Sequence, residues 1–247
     1  MPDEFRQILG LRFYVGDFSG LLDRAMAGGL IAVPSAPVLV YLADDPAHRE
    51  ALENSDFAIT DSSFMVLLWY VLKRERLPRI SGLRFLRGLL GRGEFRRPGA
   101  TFWVMPSAED SDGNCAWLRQ QGVSAGSDAC YVAPFYPPGR LADAALLSQI
   151  ELKRPKFVVL CLRGGVQERL GFFLKTRLSY LPTIICTGGA IAFLSGRQTS
   201  IPVWADRLFL GWLLRLLNSP VSFGSRLWIS LRLPFILWKY GSNSVKE

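Results

Sequence analysis

The amino-acid sequence predicts an α/β fold with a Rossmann-like, mostly parallel sheet and flanking helices, followed by a C-terminal basic amphipathic helical appendage. Continuous apolar runs of strand length alternate with amphipathic segments of helical periodicity, which is typical of parallel strands covered on both faces. Turns containing glycine or proline leave several of these runs, where open α/β sheets bind their ligands. We assign residues 1–200 to the α/β core and residues 201–247 to the appendage.

The strands are expected at residues 11–15, 30–33, 57–61, 101–105, 129–132, 157–162 and 183–186, with helices between them. Asp45 followed by Pro46 predicts a helix start, because aspartate is a favoured N-cap and proline suits the first helical position. Ser62 or Ser63 can cap the helix that follows the third strand. Residues 226–233 alternate loosely with period two, so a strand is the alternative to a helix there, and proline at position 234 breaks either.

The composition indicates a packed globular protein with a polyanionic partner. Hydrophobic residues make up 49% of the chain and charged residues 20%, with a net charge of +8. Such an excess of positive charge attracts nucleic acid, a nucleotide-linked substrate or an anionic membrane. The uncharged stretches 25–43 and 178–196 are both interrupted by glycine and proline, so neither is expected to span a bilayer, and the acidic N-terminus lacks the apolar region of a signal peptide.

The four cysteines, Cys115, Cys130, Cys161 and Cys186, are scattered along the chain. None lies in a CxxC pair or at a zinc-ligand spacing, so no metal site is expected. We expect all four to be reduced structural thiols in a cytosolic protein, because disulfides are rare in reducing compartments.

Asp61 is the candidate general base. It ends an apolar run, at the expected carboxyl lip of the sheet, and the chain contains one histidine, so a carboxylate is the expected proton acceptor. The alternative is that Asp61 is a helix N-cap. Arg79, Gln167-Glu168 and Arg197 also have local alternatives, as a surface cation, a first-turn acid beside the helix dipole and a helix-end cation.

Three turns, at residues 34–37, 163–168 and 187–190, are candidates for phosphate binding. Backbone N–H groups and a helix N-terminus can face an anion at such a turn. None is a Walker A or GxGxxG motif, so ordinary strand–helix turns are the alternative. Their clustering at one sheet edge favours a nucleotide site.

Six short motifs follow one another in a fixed order: Asp61-Ser62, Arg79 with Gly82, Gln167-Glu168, the glycine-rich segment 188–197, Pro202 with Trp204, and Trp212 with Arg215 and Leu216. This order resembles the WecG/TagA/CpsF glycosyltransferases (glycosyltransferase family 26) over nearly the whole chain. No single motif is specific, but the ordered set is.

The resemblance implies transfer of an N-acetylhexosamine-type sugar, such as N-acetylmannosamine or its uronate, from a UDP-sugar to a polyprenyl-diphosphate-linked glycan in cell-surface polysaccharide biosynthesis. It implies a cytoplasmic protein, peripheral on the inner face of the plasma membrane, with no metal and no cofactor besides the UDP-sugar. Asp61 would be the general base, and Arg79 and Gln167 would contact the diphosphate or the donor. The other residues expected to bind substrate are Ser35, Ser62, Gly82, Glu168, Gly188, Gly189 and Arg197.

The chain departs from the family pattern at several positions. Ser62 stands where glycine usually follows the aspartate, and residues 33–35 read Val-Pro-Ser where the family has Thr-x-Asn. Arg163 and Gly165 replace a glycine and a proline before the Gln-Glu pair, and Gly211 replaces a glutamate. The non-enzyme alternative is therefore a catalytically degenerate homologue that binds a lipid-linked glycan or a partner protein.

The C-terminal segment is basic and aromatic, and no acidic residue occurs between Arg207 and Val245. We expect it to bind an anionic membrane surface, because cations and interfacial aromatic rings both favour the bilayer surface. Nucleic acid is not expected, since the cations are embedded in aliphatic sequence. The alternative is that the apolar stripe packs on the domain or on a second subunit, as a homo-oligomer. The residues expected at the membrane are Arg207, Trp212, Arg215, Arg226, Trp228, Arg232, Trp238 and Lys239.

Overall fold

The fold is organised around one eight-stranded sheet. The computed structural model describes residues 4–139, 141–197 and 220–245. Its strands are β1 (Phe5–Ile8), β2 (Leu11–Tyr14), β3 (Gly29–Ala32), β4 (Phe57–Ile59), β5 (Thr101–Met105), β6 (Cys130–Val132), β7 (Phe157–Leu160) and β8 (Thr183–Cys186). They lie in the order β1–β2–β4–β3–β8–β7–β5–β6, with β1 antiparallel to β2 and all other neighbours parallel.

Helices form most of the connections between the strands. They are α1 (Phe18–Arg24), α2 (Ala36–Asp44), α3 (Pro46–Glu53), α4 (Ser63–Lys73), α5 (Gly82–Leu90), α6 (Gly93–Arg96), α7 (Ala108–Gln120), α8 (Ala144–Lys153), α9 (Val166–Arg177), α10 (Ala190–Leu194), α11 (Pro220–Ser230) and α12 (Leu233–Tyr240), with a 3₁₀ turn at Ser127–Ala129. Asp45 caps α3 by accepting a hydrogen bond from the N–H of His48 at 3.0 Å, as predicted.

The sheet is buried on both faces. Alternate side chains of each strand point to opposite faces, so Ile31 and Val159 pack with α1, α5, α7 and α10, whereas Ala32 packs with α2, α4 and α12 on the other face. Leu160 packs on that second face with α8 and α9. The predicted α/β class with a mostly parallel, Rossmann-like sheet is therefore confirmed.

Strand β1 is an element that the apolar runs do not predict. It lies at the sheet edge, and of its four residues only Ile8 is fully buried. The turn to β2 consists of Leu9 and Gly10, with φ values of +52° and +80°. Positive φ at both positions suits a two-residue hairpin turn, which fixes the antiparallel pairing.

Residues 220–240 are helical apart from a short break, so the strand alternative for residues 226–233 is wrong. Pro234 does not break the chain but lies in the first turn of α12, where its missing N–H costs no hydrogen bond. Leu233 and Leu237 are buried against α2 and α4. The predicted boundary at residues 200–201 and the predicted membrane residues Arg207, Trp212 and Arg215 lie outside the described residues.

The cysteines divide into two pairs. Cys161 and Cys186 are buried free thiols, as expected, and burial raises the pKa of Cys161 to about 12. Cys115 and Cys130 are joined by a disulfide, so the expectation of reduced thiols is wrong for this pair. The reason is tertiary, because α7 packs on β6 and brings together two residues that are 15 positions apart.

Candidate active site

The loops that follow the parallel strands meet at one edge of the sheet, called here the carboxyl edge. Strand β3 leads into α2 on one face, whereas the adjacent β8 leads into α10 on the opposite face. Loops that diverge in this way leave a crevice in which open α/β sheets bind ligands. Ser35 precedes α2, Gly188 and Gly189 precede α10, and Asp61 follows the neighbouring β4. Four predicted site residues therefore share this edge.

Asp61 is held by the segment that leads into α5. Its Oδ1 accepts a hydrogen bond from the N–H of Gly82 at 2.8 Å, and its carbonyl oxygen accepts one from Nε of Arg79 at 3.4 Å. The fold thus brings together three predicted site residues. The aspartate remains partly exposed, so a ligand in the crevice can reach it.

Gly82 and Thr60 keep the segment before α5 close to the strand end that carries Asp61. A Cβ atom at Gly82 would lie 2.8 Å from Cγ1 of Val33, so a side chain there would force the two segments apart. The buried hydroxyl of Thr60 donates to the carbonyl of Pro78 and accepts from the N–H of Ile80 at 3.3 Å. The motif order misses Thr60, and the available signal was a hydroxyl side chain directly before the aspartate.

Ser62 caps the helix that follows Asp61. Its hydroxyl accepts a hydrogen bond from the N–H of Met65 at 3.2 Å, and the side chain is buried. Of the two candidate caps the structure therefore uses Ser62, and Asp61 is not the cap of α4. The serine at the family's glycine position is engaged by the helix start.

Gln167 and Glu168 connect the turns after β7 and β8. Oε1 of Gln167 accepts a hydrogen bond from the N–H of Gly188 at 2.8 Å, and its Nε2 donates to Oε1 of Glu168 at 3.0 Å. Oε2 of Glu168 accepts from the N–H of Gly165 at 2.6 Å. Both side chains are almost completely buried. This network holds Gly188 with a φ of +57°, a conformation that favours glycine.

Ser35 links the crevice to the C-terminal helices. Its side chain makes no capping hydrogen bond in α2, and its Oγ accepts one from the guanidinium of Arg226 in α11 at 3.4 Å. Helix α11 also packs along α2. A residue predicted to contact the membrane therefore lies beside one predicted to bind substrate.

Arg197 is engaged by α7 rather than by the residues around Asp61. Its guanidinium pairs with Glu109 at 2.7 Å and with Asp110 at 3.4 Å, and these hydrogen bonds raise the pKa of Arg197. The nearby hydroxyl of Ser195 donates to Oδ1 of the buried Asn114 at 2.7 Å. The structure thus ties residues 195–197 to α7.

The crevice can accept a proton and bind an anion. The carboxylate of Asp61 lies at one side, and the arginines Arg79, Arg163 and Arg226 stand on its surrounding segments. Guanidinium and backbone N–H groups are suitable partners for phosphate oxygens. In the part of the chain that the structure describes, no group of three or more His, Cys, Asp or Glu side chains could hold a metal ion.

A second surface, called here the apolar face, covers the outer sides of α4, α11 and α12. Met65 and Trp69 of α4, Leu237 of α12 and the half-buried Ile229 of α11 belong to one buried cluster, so these three helices cover the same face of the sheet. The exposed apolar residues of this face are Leu67, Tyr70, Val71, Leu72, Trp228, Leu231, Phe235 and Trp238. The exposed cations beside them are Lys73, Arg74, Arg76 and Lys239. Across residues 4–139, 141–197 and 220–245, no helix is long and apolar enough to cross a bilayer.

Comparison with known proteins confirms the resemblance found in the sequence. The model of the glycosyl transferase WecG/TagA/CpsF family matches residues 6–246. The match spans both the carboxyl edge and the apolar face. No curated protein matches the chain.

Proposed function

The chain belongs to the WecG/TagA/CpsF family of glycosyltransferases of cell-surface polysaccharide biosynthesis, and from this premise we propose its reaction. We propose that it transfers an N-acetylhexosamine-type sugar from a UDP-sugar to a polyprenyl-diphosphate-linked glycan. The hydroxyl oxygen of the acceptor bonds to the anomeric carbon of the donor sugar. The bond from that carbon to the diphosphate breaks, and UDP leaves with the electron pair.

Asp61 is the proposed general base that takes the proton of the acceptor hydroxyl. A sugar hydroxyl is a weak nucleophile unless a base lies within hydrogen-bond reach. The observation that carries this proposal is that the N–H of Gly82 holds one carboxylate oxygen of Asp61 at 2.8 Å while the residue stays partly exposed at the crevice. Ser62, and not Asp61, is the N-cap of α4.

The diphosphate of the donor is proposed to lie over the turn at Gly188 and Gly189, with Arg79 supplying positive charge. A departing diphosphate gains negative charge, which cations and backbone donors stabilise. Gln167 would contribute by holding Gly188 in place, as its hydrogen bond to that N–H supports. We propose no cofactor besides the UDP-sugar and no metal, so turnover is expected to persist in excess EDTA.

The apolar face is proposed to hold the protein on the inner face of the plasma membrane. Exposed rings and aliphatic side chains can enter the headgroup region of a bilayer, and neighbouring cations are attracted to anionic lipids. Trp228 and Trp238 are 76% and 71% exposed, which supports this role. The lipid-linked acceptor would then meet a crevice whose rim includes Arg226 and Ser35.

Release of UDP tests the reaction. Wild type and Asp61→Asn are incubated with a panel of UDP-sugars and a short-chain polyprenyl-diphosphate sugar. We expect release by wild type and a rate lower by about 10²–10⁴-fold in the variant, the usual contribution of a general base. Asparagine keeps an oxygen for the N–H of Gly82, so UDP binding is expected to persist. Asp112→Asn, at an exposed position of α7, is the matched control.

Equal rates for wild type and Asp61→Asn would remove Asp61 as the base. Binding of UDP-sugar and lipid-linked glycan by wild type, without UDP release from any donor, would instead identify a binding module that has lost catalysis. Release that stops in EDTA and returns with a divalent cation would contradict the metal-independent reaction.

A further inference from the structure

Arg163 begins a turn at the carboxyl edge that the sequence marks as a candidate for phosphate binding, but neither the six ordered motifs nor the proposed reaction gives its side chain a role. It lies in the turn between β7 and α9, two buried residues after the end of the strand, and its side chain is exposed. No hydrogen bond or ion pair joins its guanidinium to another described residue. This contrasts with Arg197, which two carboxylates on α7 neutralise.

The backbone that carries Arg163 is firmly held. The carbonyl of Arg163 accepts hydrogen bonds from the N–H groups of Val166 and Gln167, both at 3.2 Å. Gly165 donates its N–H to Glu168, and its carbonyl accepts from Nε of Arg169 at 2.7 Å. A fixed backbone with an unpaired guanidinium is suited to bind an anion from solution, because little of the turn must be ordered on binding.

The turn that follows β7 extends over the end of β8 towards α2. A Cβ atom at Gly164 would collide with Cγ2 of Val38 in α2, and α2 follows β3, on the far side of β8. Arg163 is therefore carried over the strand end that leads to Gly188. Along the sheet, β7 is three strand positions from β4, which corresponds to about 14 Å at the usual strand spacing.

We infer that Arg163 binds phosphate oxygens of the sugar nucleotide's diphosphate, an inference that rests on the proposed function. A planar guanidinium matches the oxygens of a phosphate and is always charged. The donor is the expected source of this diphosphate rather than the lipid-linked acceptor, because Arg163 lies over the strand end that leads to Gly188 and Gly189, where the donor's diphosphate is proposed to lie. Arg163 and Arg79 then hold the diphosphate from opposite sides of the crevice.

Binding of uridine, UDP and a short-chain prenyl diphosphate tests this inference. Affinities are measured by calorimetry at one salt concentration for wild type, Arg163→Ala, Arg163→Lys and Arg177→Ala. Arg177 is the matched control, an exposed arginine at the opposite end of α9. Thermal unfolding of each variant shows that the fold is kept.

We expect Arg163→Ala to weaken UDP binding by about 10-fold or more, the usual effect of losing a charge-assisted hydrogen bond. Uridine affinity is expected to stay unchanged, Arg163→Lys to restore part of the UDP affinity, and Arg177→Ala to bind like wild type. Wild-type UDP affinity in Arg163→Ala would overturn the inference and leave the proposed function intact. A loss confined to the prenyl diphosphate would overturn the assignment to the donor. Failure of wild type to bind UDP would overturn both the inference and the proposed function.

Discussion

The carboxyl edge and the apolar face differ in the side chains that they bury: the edge buries polar groups, whereas the face exposes apolar ones. At the edge, Thr60, Gln167 and Glu168 are buried, and each is hydrogen bonded. On the apolar face, Trp228 and Trp238 remain largely exposed beside unburied cations. Satisfied buried polar groups fix one geometry, whereas exposed rings and cations leave an adaptable surface that suits the proposed contact with lipid. The difference predicts that catalysis and membrane binding can be separated by substitution.

Among the substitutions that keep Asp61, the largest expected effect is on membrane binding by the double variant Phe235→Ser/Trp238→Ser. Phe235 and Trp238 are 62% and 71% exposed on α12. Burial of two large apolar side chains contributes about 3–6 kcal/mol when complete. We expect the affinity for anionic vesicles to fall by about 100-fold or more in a flotation assay.

Phe135→Ser provides the matched control for this experiment. Phe135 is 83% exposed but lies in the loop between β6 and α8, away from the apolar face. Its substitution is expected to leave vesicle binding unchanged. If the double variant floats like wild type, or if Phe135→Ser sinks equally, the apolar face is not the membrane surface.

Gly82→Ala tests the close contact beneath Asp61. The added Cβ would lie 2.8 Å from Cγ1 of Val33, and overpacking of this kind costs about 1–3 kcal/mol of unfolding free energy. We expect lower stability in chemical denaturation and slower sugar transfer, because the N–H that holds Asp61 moves. Gly93→Ala is the control, since a Cβ there meets nothing within 4 Å. Equal stability and turnover in the two variants would contradict the contact's importance.

Gln167→Leu tests the brace between the turns after β7 and β8. The substitution removes the 2.8 Å hydrogen bond from the N–H of Gly188, which keeps the carbonyl of Leu160 at 3.3 Å as its other acceptor. Loss of one such hydrogen bond costs about 0.5–1.5 kcal/mol. We expect reduced unfolding free energy and a higher KM for the UDP-sugar. Gln149→Leu, at an exposed site on α8, is the comparison. A donor KM unchanged by Gln167→Leu would separate this residue from donor binding.

Much of the fold could be predicted because buried parallel strands have continuous apolar sequences. Strands β5 (Thr101–Met105) and β8 (Thr183–Cys186) have the predicted bounds. Strand β1 was missed because an edge strand of four residues has little apolar signal. Residues 226–233 were ambiguous between helix and strand because their loose alternation fits both periods.

The sequence predicted which motifs form the candidate site, from their order along the chain, but not the contacts that their side chains make. The family resemblance carried by the motif order placed Asp61 and Gly82 in one site, and the structure joins them by a hydrogen bond. Arg197 was expected at the substrate, but its partner Glu109 is 88 positions away and no local pattern reveals that pair. The disulfide between Cys115 and Cys130 likewise depends on how α7 packs.

The smallest expected effect is the pH dependence of the contact between Asp44 and Arg232, which joins α2 to the loop before α12. Arg232 donates to both carboxylate oxygens, at 2.6 and 2.8 Å, and these hydrogen bonds lower the pKa of Asp44 from its ordinary 3.8. A carboxyl group whose pKa is lowered in the folded state stabilises the fold at pH values above its unfolded pKa. This stabilisation is lost as the pH falls through the folded pKa. The contact is exposed, so Asp44→Asn is expected to cost only about 0.2–1 kcal/mol.

Denaturation of wild type and Asp44→Asn between pH 8 and pH 2 measures this contribution. The difference in unfolding free energy is expected to stay constant down to about pH 4 and to vanish below it, in the range where the carboxyl group titrates. A difference that persists unchanged at the lowest pH would show that the pair's charge is not its source.

The central claim, that Asp61 performs the chemistry at the carboxyl edge while the apolar face only locates the protein, is tested most directly by sugar-transfer rates with two acceptors. One is a short-chain polyprenyl-diphosphate sugar in solution, and the other is a long-chain acceptor in anionic vesicles. We expect Asp61→Asn to lose transfer to both, whereas Phe235→Ser/Trp238→Ser keeps the wild-type rate in solution and loses transfer only with vesicles. Wild-type transfer in solution by Asp61→Asn, or equal losses with both acceptors in the double variant, would contradict the claim.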